Sequence, residues 1–449
     1  MARRVRPTGS GRLGTGRSPF RARWILAGVL AGVLVLAGGF LAYLAATGRL
    51  DSRPKPEPFG ATWPGSAHAN PLSPGPQATA AQGDIANRMD ILLRQEGAYR
   101  AWHILAARDG SAPAMDSQEL LLEDQLLAAQ LDMELGRKAD FLARIARIRD
   151  AFETGDGWYR SRLALGDAAA PEPGPDPATV SEGLLLARCL MEGYDRFREP
   201  DLRDMALDLA DRLLARFPDG RMPAETEHRP QAPSPTPDLA ASPTPRPTAT
   251  PTPDPDRPLL HLVLLSDADL YALQLLSGLS SAWSDIYDTT LATVQDGFLG
   301  DDLPLFQEAY DPAAGGHVSY LADLPVLDGE RAVRTLLHLC EVGEADPRSL
   351  AWLKEQLYNR RGIYRGYHIV TGQPATDAES IPALAMAARI ARIQGDAALY
   401  AKAVERLLWH QATDPRSEAL GALFRRTPEN RIFLSARDNL WGLLAVAAP

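Results

Sequence analysis

Six stretches of the 449-residue chain set an acid at or beside the start of an apolar helical run. They are MDSQELLLEDQLLAAQL (115–131), TVSEGLLLARCLMEG (179–193), LSDADLYALQLLSGL (265–279), LDGERAVRTLLHLC (327–340), ATDAESIPALAMAARI (375–390) and SARDNLWGLLAVAAP (435–449). An acid in a first turn satisfies orphan backbone N–H groups and complements the helix dipole. Several carboxyls gathered at one place do more. Held at different pKa values, they can give and take protons across one bond. Asp116, Glu119, Glu182, Asp267, Asp269 and Asp328 are the acids so placed. Two readings stand side by side: six independent helix caps, or one shared ring of carboxylates suited to sugar chemistry.

What would bring them together is the alternation of helix types. Between the apolar runs lie amphipathic stretches at roughly 84–108, 138–153, 199–216, 282–296, 347–358 and 393–411, with apolar residues at i, i+3, i+4 and i+7. Six apolar helices alternating with six amphipathic ones predict an all-α double ring, an (α/α)6 toroid, with the apolar set inside. Parallel inner helices would then deliver all six acid-bearing starts to a single mouth. DAES (377–380) reads as the cap of the fifth inner helix.

The remaining segments have other work. Residues 1–23 carry seven arginines and no acid, and 24–46 form an uncharged apolar run. At ~1.5 Å per helical residue such a run crosses a hydrocarbon core of about 30 Å. The arginines in front predict the N-terminus inside and the bulk of the chain outside the cytoplasm, in a single-pass cell-membrane protein. A cleaved signal peptide is the rival reading, although the run exceeds the usual h-region of roughly 7–15 residues. Residues 47–80 are a Pro/Gly-rich spacer, and 81–449 form the toroid. Within it, 229–258 is a Pro/Thr-rich tract that cannot pack as helix or central strand. The tract is either a linker between domains or a long loop thrown out from one fold.

The formal net charge of −10, more negative still without the arginine tail, argues against nucleic acid as a partner and against an anionic polymer as the main ligand. Cys189 and Cys340, each within an apolar pattern, read as buried free thiols. The eight histidines show no ligand spacing, so neither metal nor other cofactor is expected. The sequence carries no mark of oligomeric state.

The chain resembles glycoside hydrolase family 8, the inverting enzymes with an (α/α)6 fold. That family opens one inner helix with Ser-Glu and the next with Ala-Ser/Thr-Asp-Ala-Asp, and its fourth carries Tyr-Asp-Ala-x-Arg. In the preferred register, Gln118-Glu119 stands for Ser-Glu, ATVSEG (178–183) for the second motif, and LDGERAVR (327–334) for the fourth, through Arg334. A second register would instead align VSEG (180–183) with Ser-Glu and LSDADL (265–270) with the Asp-Ala-Asp motif. The resemblance implies Glu119 as general acid, Glu182 holding the sugar at the scissile position, and Asp328 activating water. Arg331 stands where the base aspartate belongs, a departure from the family pattern. Trp158 and Tyr159 of GWYRSR would stack on sugar faces or anchor a loop, and Asp116, Asp267, Asp269 and Arg334 would contact substrate. The expected partner is a β-linked polysaccharide or oligosaccharide. The alternative is a toroid without catalysis that binds carbohydrate or scaffolds a cell-surface polysaccharide system.

Overall fold

A computed structural model describes residues 56–61, 72, 75–165, 176–229, 258–322 and 324–447. The chain divides into two compact units, Met1–Glu57 and Pro58–Pro449, and the second holds the helical fold. The expected anchor at 24–46, the arginine tail and nearly all of the Pro/Thr tract lie outside the described residues. Among the described residues no helix is long and apolar enough to cross a membrane.

Twelve α-helices build the ring: α1 (Pro76–Leu92), α2 (Leu122–Glu134), α3 (Lys138–Phe152), α4 (Val180–Phe197), α5 (Pro200–Leu214), α6 (Leu270–Ser277), α7 (Ser281–Asp296), α8 (Gly329–Glu341), α9 (Pro347–Glu355), α10 (Ile381–Ile393), α11 (Ala397–Leu408) and α12 (Ala436–Val446). The even-numbered helices form the inner ring. Each packs on the next, and α12 closes the circle against α2 while also covering α1. Burial separates the two sets. α10 is buried from Ile381 through Arg392 without a break. Its outer neighbour α11 buries only Leu399, Tyr400, Ala403, Val404, Leu407 and Leu408, one stripe of an amphipathic helix. The expected double ring is the observed architecture.

Local chemistry fixes the helix starts. Ser380, Ser435, Asp328 and Asp269 each accept a first-turn backbone N–H at the head of an inner helix. Thr179 and Glu182 form a reciprocal capping box at the head of α4. Gly193 lets α3 approach α4 closely, because a Cβ there would collide with the ring of Phe141.

Several boundaries differ from the sequence expectation. The stretch 84–108 is helical only to Leu92. Beyond it Arg94–Gln95 and Ala98–Tyr99 pair across a two-residue turn in which Glu96 and Gly97 have φ of 51° and 84°. Positive φ at both central residues is the tight hairpin geometry that follows strand twist. The first inner helix starts at Leu122, not near 115, because Glu119–Leu121 pairs antiparallel with Arg162–Ala164. The Pro/Thr tract is bounded by paired strands, with His228 opposite Leu260, so the chain leaves and re-enters one sheet. Both cysteines are buried free thiols.

Candidate active site at the mouth of the ring

The inner helices carry polar stripes that face the ring's axis. On α2 the stripe is Glu123, Leu127, Gln130 and Glu134; on α4 it is Glu182, Leu185, Arg188 and Glu192. With Asp267, Asp269, Arg334, Leu337, His338, Glu341, Arg389 and Trp441, most of these residues line a cavity of about 270 Å³. Its upper part holds Glu123, Glu182, Asp267 and Arg334. Leu127, Leu185 and Leu337 form an apolar belt, and a second polar group lies below. The helix starts therefore converge on one mouth.

Glu123 is the most constrained acid there. Arg334 Nη2 donates to its Oε1 at 2.7 Å, and Arg437 Nη2 lies 3.7 Å from the same oxygen. Burial pushes this carboxyl up, but Arg437 and Arg334 outweigh it and bring the pKa down to about 2. Arg437 also pairs with Glu330 at 2.7 Å, and Glu330 accepts the hydroxyl of Ser380 at 3.0 Å. Asp267 is in the opposite condition. Burial raises its pKa and the Glu123 charge adds to the rise, while Arg334 and Arg331 oppose it. Among the described residues, the hydrogen bond that its carboxylate accepts comes from the Ser266 hydroxyl, at 3.3 Å. Glu182 is raised too, by burial, with the Thr179 backbone and Ser161 hydroxyl opposing. Ser161 donates to its Oε1 and the Thr179 N–H to its Oε2, both at 2.9 Å. It is at once a helix cap and a wall of the cavity.

Below the leucine belt, Arg188 donates to Asp269 at 3.1 Å and to both oxygens of Glu341 at 3.0 Å. Arg389 similarly grips Glu134 at 2.7 and 3.1 Å. Glu192, 3.7 Å from Arg188, has its pKa raised to about 8 by burial, against the pull of Arg188. Asp269, His338 and Glu341 offer ligand atoms within 4.8 Å of one another. The guanidinium of Arg188 already donates to both carboxylates, so a fixed cation engages two of these three groups.

The other residues singled out in the sequence lie elsewhere. Glu119 stands on a short strand ahead of α2, with its side chain 47% exposed and 3.9 Å from Arg162, and does not line the cavity. Glu123, one helical turn later, takes its place. Asp116 is bound to Arg100 and His103 at 2.6 and 2.7 Å, also outside the cavity. Asp328 is the N-cap of α8, accepting the Arg331 N–H at 2.9 Å, and is not among the lining residues. Trp158 and Tyr159 are buried core residues: Trp158 donates Nε1–H to the Ala178 carbonyl and is covered by Arg216. They anchor a loop and leave no face for a sugar. Asp267 and Arg334 are in the mouth, and Asp269 is one tier lower.

Sequence reasoning missed Glu123, Arg437, Arg188, Glu341 and the fully buried Asp124. Neither carboxyl oxygen of Asp124 has a hydrogen-bond partner, and burial beside Glu123 lifts its pKa well above the usual range. The available signal was charge inside apolar helices, as in LLLEDQLL and LLLARCL. Such residues reach the interior only if something pairs or neutralises them.

No protein-family model matches the chain, and no curated protein matches it in sequence. Solved structures do match in fold. An alpha-amylase from Clostridium perfringens is 17% identical at a TM-score of 0.64, over 82% of this chain and 96% of that one. PssZ from Listeria monocytogenes is 13% identical at 0.51, over 80% and 93%. The endo-β-1,4-glucanase CMCax from Acetobacter xylinum is 17% identical at 0.49, over 74% and 97%. At these identities the likeness is one of fold, and the first two structures carry it. The chain is a divergent (α/α)6 toroid.

Proposed function

We propose that the chain is a glycoside hydrolase acting on a polysaccharide, held at the membrane by residues 24–46 with its ring outside the cytoplasm. The observation that supports this most is that two mouth carboxyls are shifted in opposite directions. Glu123 is kept ionised by two arginines, while Asp267 is raised by burial and left nearly free of hydrogen bonds. A protonated acid and an ionised carboxylate in one cavity are what glycosidic cleavage requires. Asp267 is assigned as proton donor to the leaving oxygen. Glu123 replaces Glu119 in the site and serves as the carboxylate that directs water, in a single displacement with inversion. Glu182, fixed by Ser161 and Thr179, is a rigid acceptor for a sugar hydroxyl. The likeness in fold to an alpha-amylase supports a glycan substrate and adds α-glucans to the β-linked candidates.

The test is to incubate the full-length chain with β-glucan, chitosan, xylan and soluble starch, and to follow product anomers by NMR. Release of an inverted product from one of them is expected. No release from any, with the fold intact by circular dichroism, sinks the hydrolase reading. A second reading, a toroid that binds glycan without cleaving it, draws on the double arginine clamp that engages Glu123. It predicts retention on one of these polymers and no new reducing ends. For the membrane placement, a C-terminal reporter should lie outside, and carbonate washing should not release the chain. Release of a shorter form beginning near Thr47 would mean a cleaved signal peptide.

A further inference from the structure

Two large aromatic side chains share one surface hollow on the outer ring. Trp409 is 68% exposed and Tyr358 43%, and both line a depression of about 350 Å³ with Leu357, Arg361, Lys402, Glu405 and Arg406. The other large exposed apolar residues (Ile91, Met115, Leu259, Leu324, Val370) do not line it. The hollow lies at the C-terminal ends of the outer chain segments around α9 and α11. Outer helices run opposite to inner ones, so it faces the same end of the ring as the mouth.

Trp409 is held in a defined pose. Arg406 lies 4.3 Å from its ring centroid, which engages one face through a cation–π contact. The guanidinium is itself fixed by two bonds of 2.7 Å to Glu379, and His410 lies 3.2 Å from that carboxylate. Glu379 directly precedes Ser380, the cap of α10, whose hydroxyl donates to Glu330, the partner of Arg437 at the mouth. A continuous run of bonds thus joins the platform to the site that holds Glu123. Two of the three cations that line the hollow are paired, Lys402 with Glu405 at 2.8 Å and Arg406 with Glu379; Arg361 is the third.

We propose that Trp409 and Tyr358 form a secondary binding platform for a neutral polysaccharide, distinct from the mouth. A sugar ring offers an apolar face of C–H groups for the open side of the indole, and hydroxyls for the paired charges around it. A lipid surface fits less well, because the indole is bordered by Arg361, Lys402, Glu405 and Arg406, and the apolar surface beside it is limited to Tyr358 and Leu357. Large exposed apolar patches are what mark membrane or protein contacts. The choice of glycan as ligand rests on the reading of the mouth, but the platform's function is binding alone.

The test is affinity electrophoresis of the full-length chain in native gels holding hydroxyethyl cellulose, xylan or soluble starch. Retardation by at least one is expected, with Trp409→Ala weakening the affinity about tenfold or more. Tyr358→Ala should weaken it less, and Trp409→Phe should restore most of it. Cleavage of a tetrasaccharide short enough to fill only the mouth should be unchanged in all three variants. Retardation that survives Trp409→Ala, or no retardation of the unaltered chain by any of the three polymers, overturns the platform. So does Trp409-dependent sedimentation with phosphatidylglycerol vesicles in the absence of retardation. Retardation that needs Trp409 in a chain that cleaves nothing would sink the hydrolase reading and leave the platform standing.

Discussion

Two arginine–carboxylate networks lie on the axis of this ring, one at the mouth and one below the leucine belt. They are built from the same residue types but are set to different ends. In the lower network Arg188 ties α4 to α6 and α8 through Asp269 and Glu341, nearly sealed from solvent. Both carboxylates accept from its guanidinium, and it acts as a fastener between three inner helices. At the mouth, Arg334 and Arg437 converge on Glu123 and leave Asp267 without an arginine bond. That imbalance pushes the pKa values of neighbouring carboxyls in opposite directions. Carboxylates gripped by an arginine hold a fold together, and a carboxyl left ungripped in an open cavity is available for chemistry.

The comparison can be broken most severely at the mouth. Glu123→Gln and Asp267→Asn should each cost ~10²–10⁴ in turnover on the polymer that the chain cleaves. Asp267→Asn should leave the melting temperature close to that of the unaltered chain. Glu123→Gln should lower it above about pH 4.5 without unfolding the chain, because the ionised partner of Arg334 and Arg437 is lost. A variant that unfolds instead would place its residue with the fasteners. Next in size is Arg188→Met, which removes the cation that the buried acids Asp269 and Glu341 share. A loss of about 3–5 kcal/mol in denaturant unfolding is expected. A near-neutral result would show that the lower network is not fastening the helices.

A smaller effect separates the two networks by pH. Glu192 has its pKa raised from 4.5 to about 8 in the fold. Between those values the folded chain holds a proton that the unfolded chain has lost, so its contribution to stability falls as pH rises through this window. Glu192→Gln should flatten that part of the stability curve. Glu123 has the opposite sign: its lowered pKa stabilises the fold above about pH 4.5, and this is lost as pH falls towards 2. An unchanged slope between pH 4.5 and 8 in Glu192→Gln would show that another group controls it. The smallest effect is expected at Glu119, which lies outside the cavity. Glu119→Gln should change stability by no more than about 0.5 kcal/mol and leave turnover nearly unaltered. A large loss of activity there would return the catalytic role to the strand.

Much of the ring was legible because its signals are periodic. Inner helices are apolar on all sides and outer ones on one, and that difference survives without coordinates. The short strands were not legible. Glu119–Leu121 is held by a partner strand at Arg162–Ala164, a pairing that no local propensity encodes. Reading that segment as helix set Glu119 at a helix start, one turn before Glu123, which is the acid that lines the cavity. Glu182, Asp267 and Arg334 were found because they stand near helix starts. Arg437 and Glu123 act as a pair drawn from helices far apart in sequence, and only ring closure brings them together. Trp158 and Tyr159 show the converse hazard: aromatics beside a glycine look available for stacking, yet here they fill the core.

That closure bears on how the chain is made. α2 packs against α12, and Arg88 on α1 donates its Nε–H to the Leu420 carbonyl, 332 residues away. At a synthesis rate of ~5–20 residues per second, the first helices wait on the order of tens of seconds for their last partner. Until then the ring is an open arc. The flank of α2 bearing Leu127, Ala128 and Leu131 belongs to the core shared with α12, so it has no complete cover during that interval. A growing chain with an apolar edge at one end needs shielding by a chaperone or a rapid exit from crowded surroundings. Slowing synthesis within the last hairpin should therefore lower the yield of folded protein more than slowing it in the hairpin of α4 and α5.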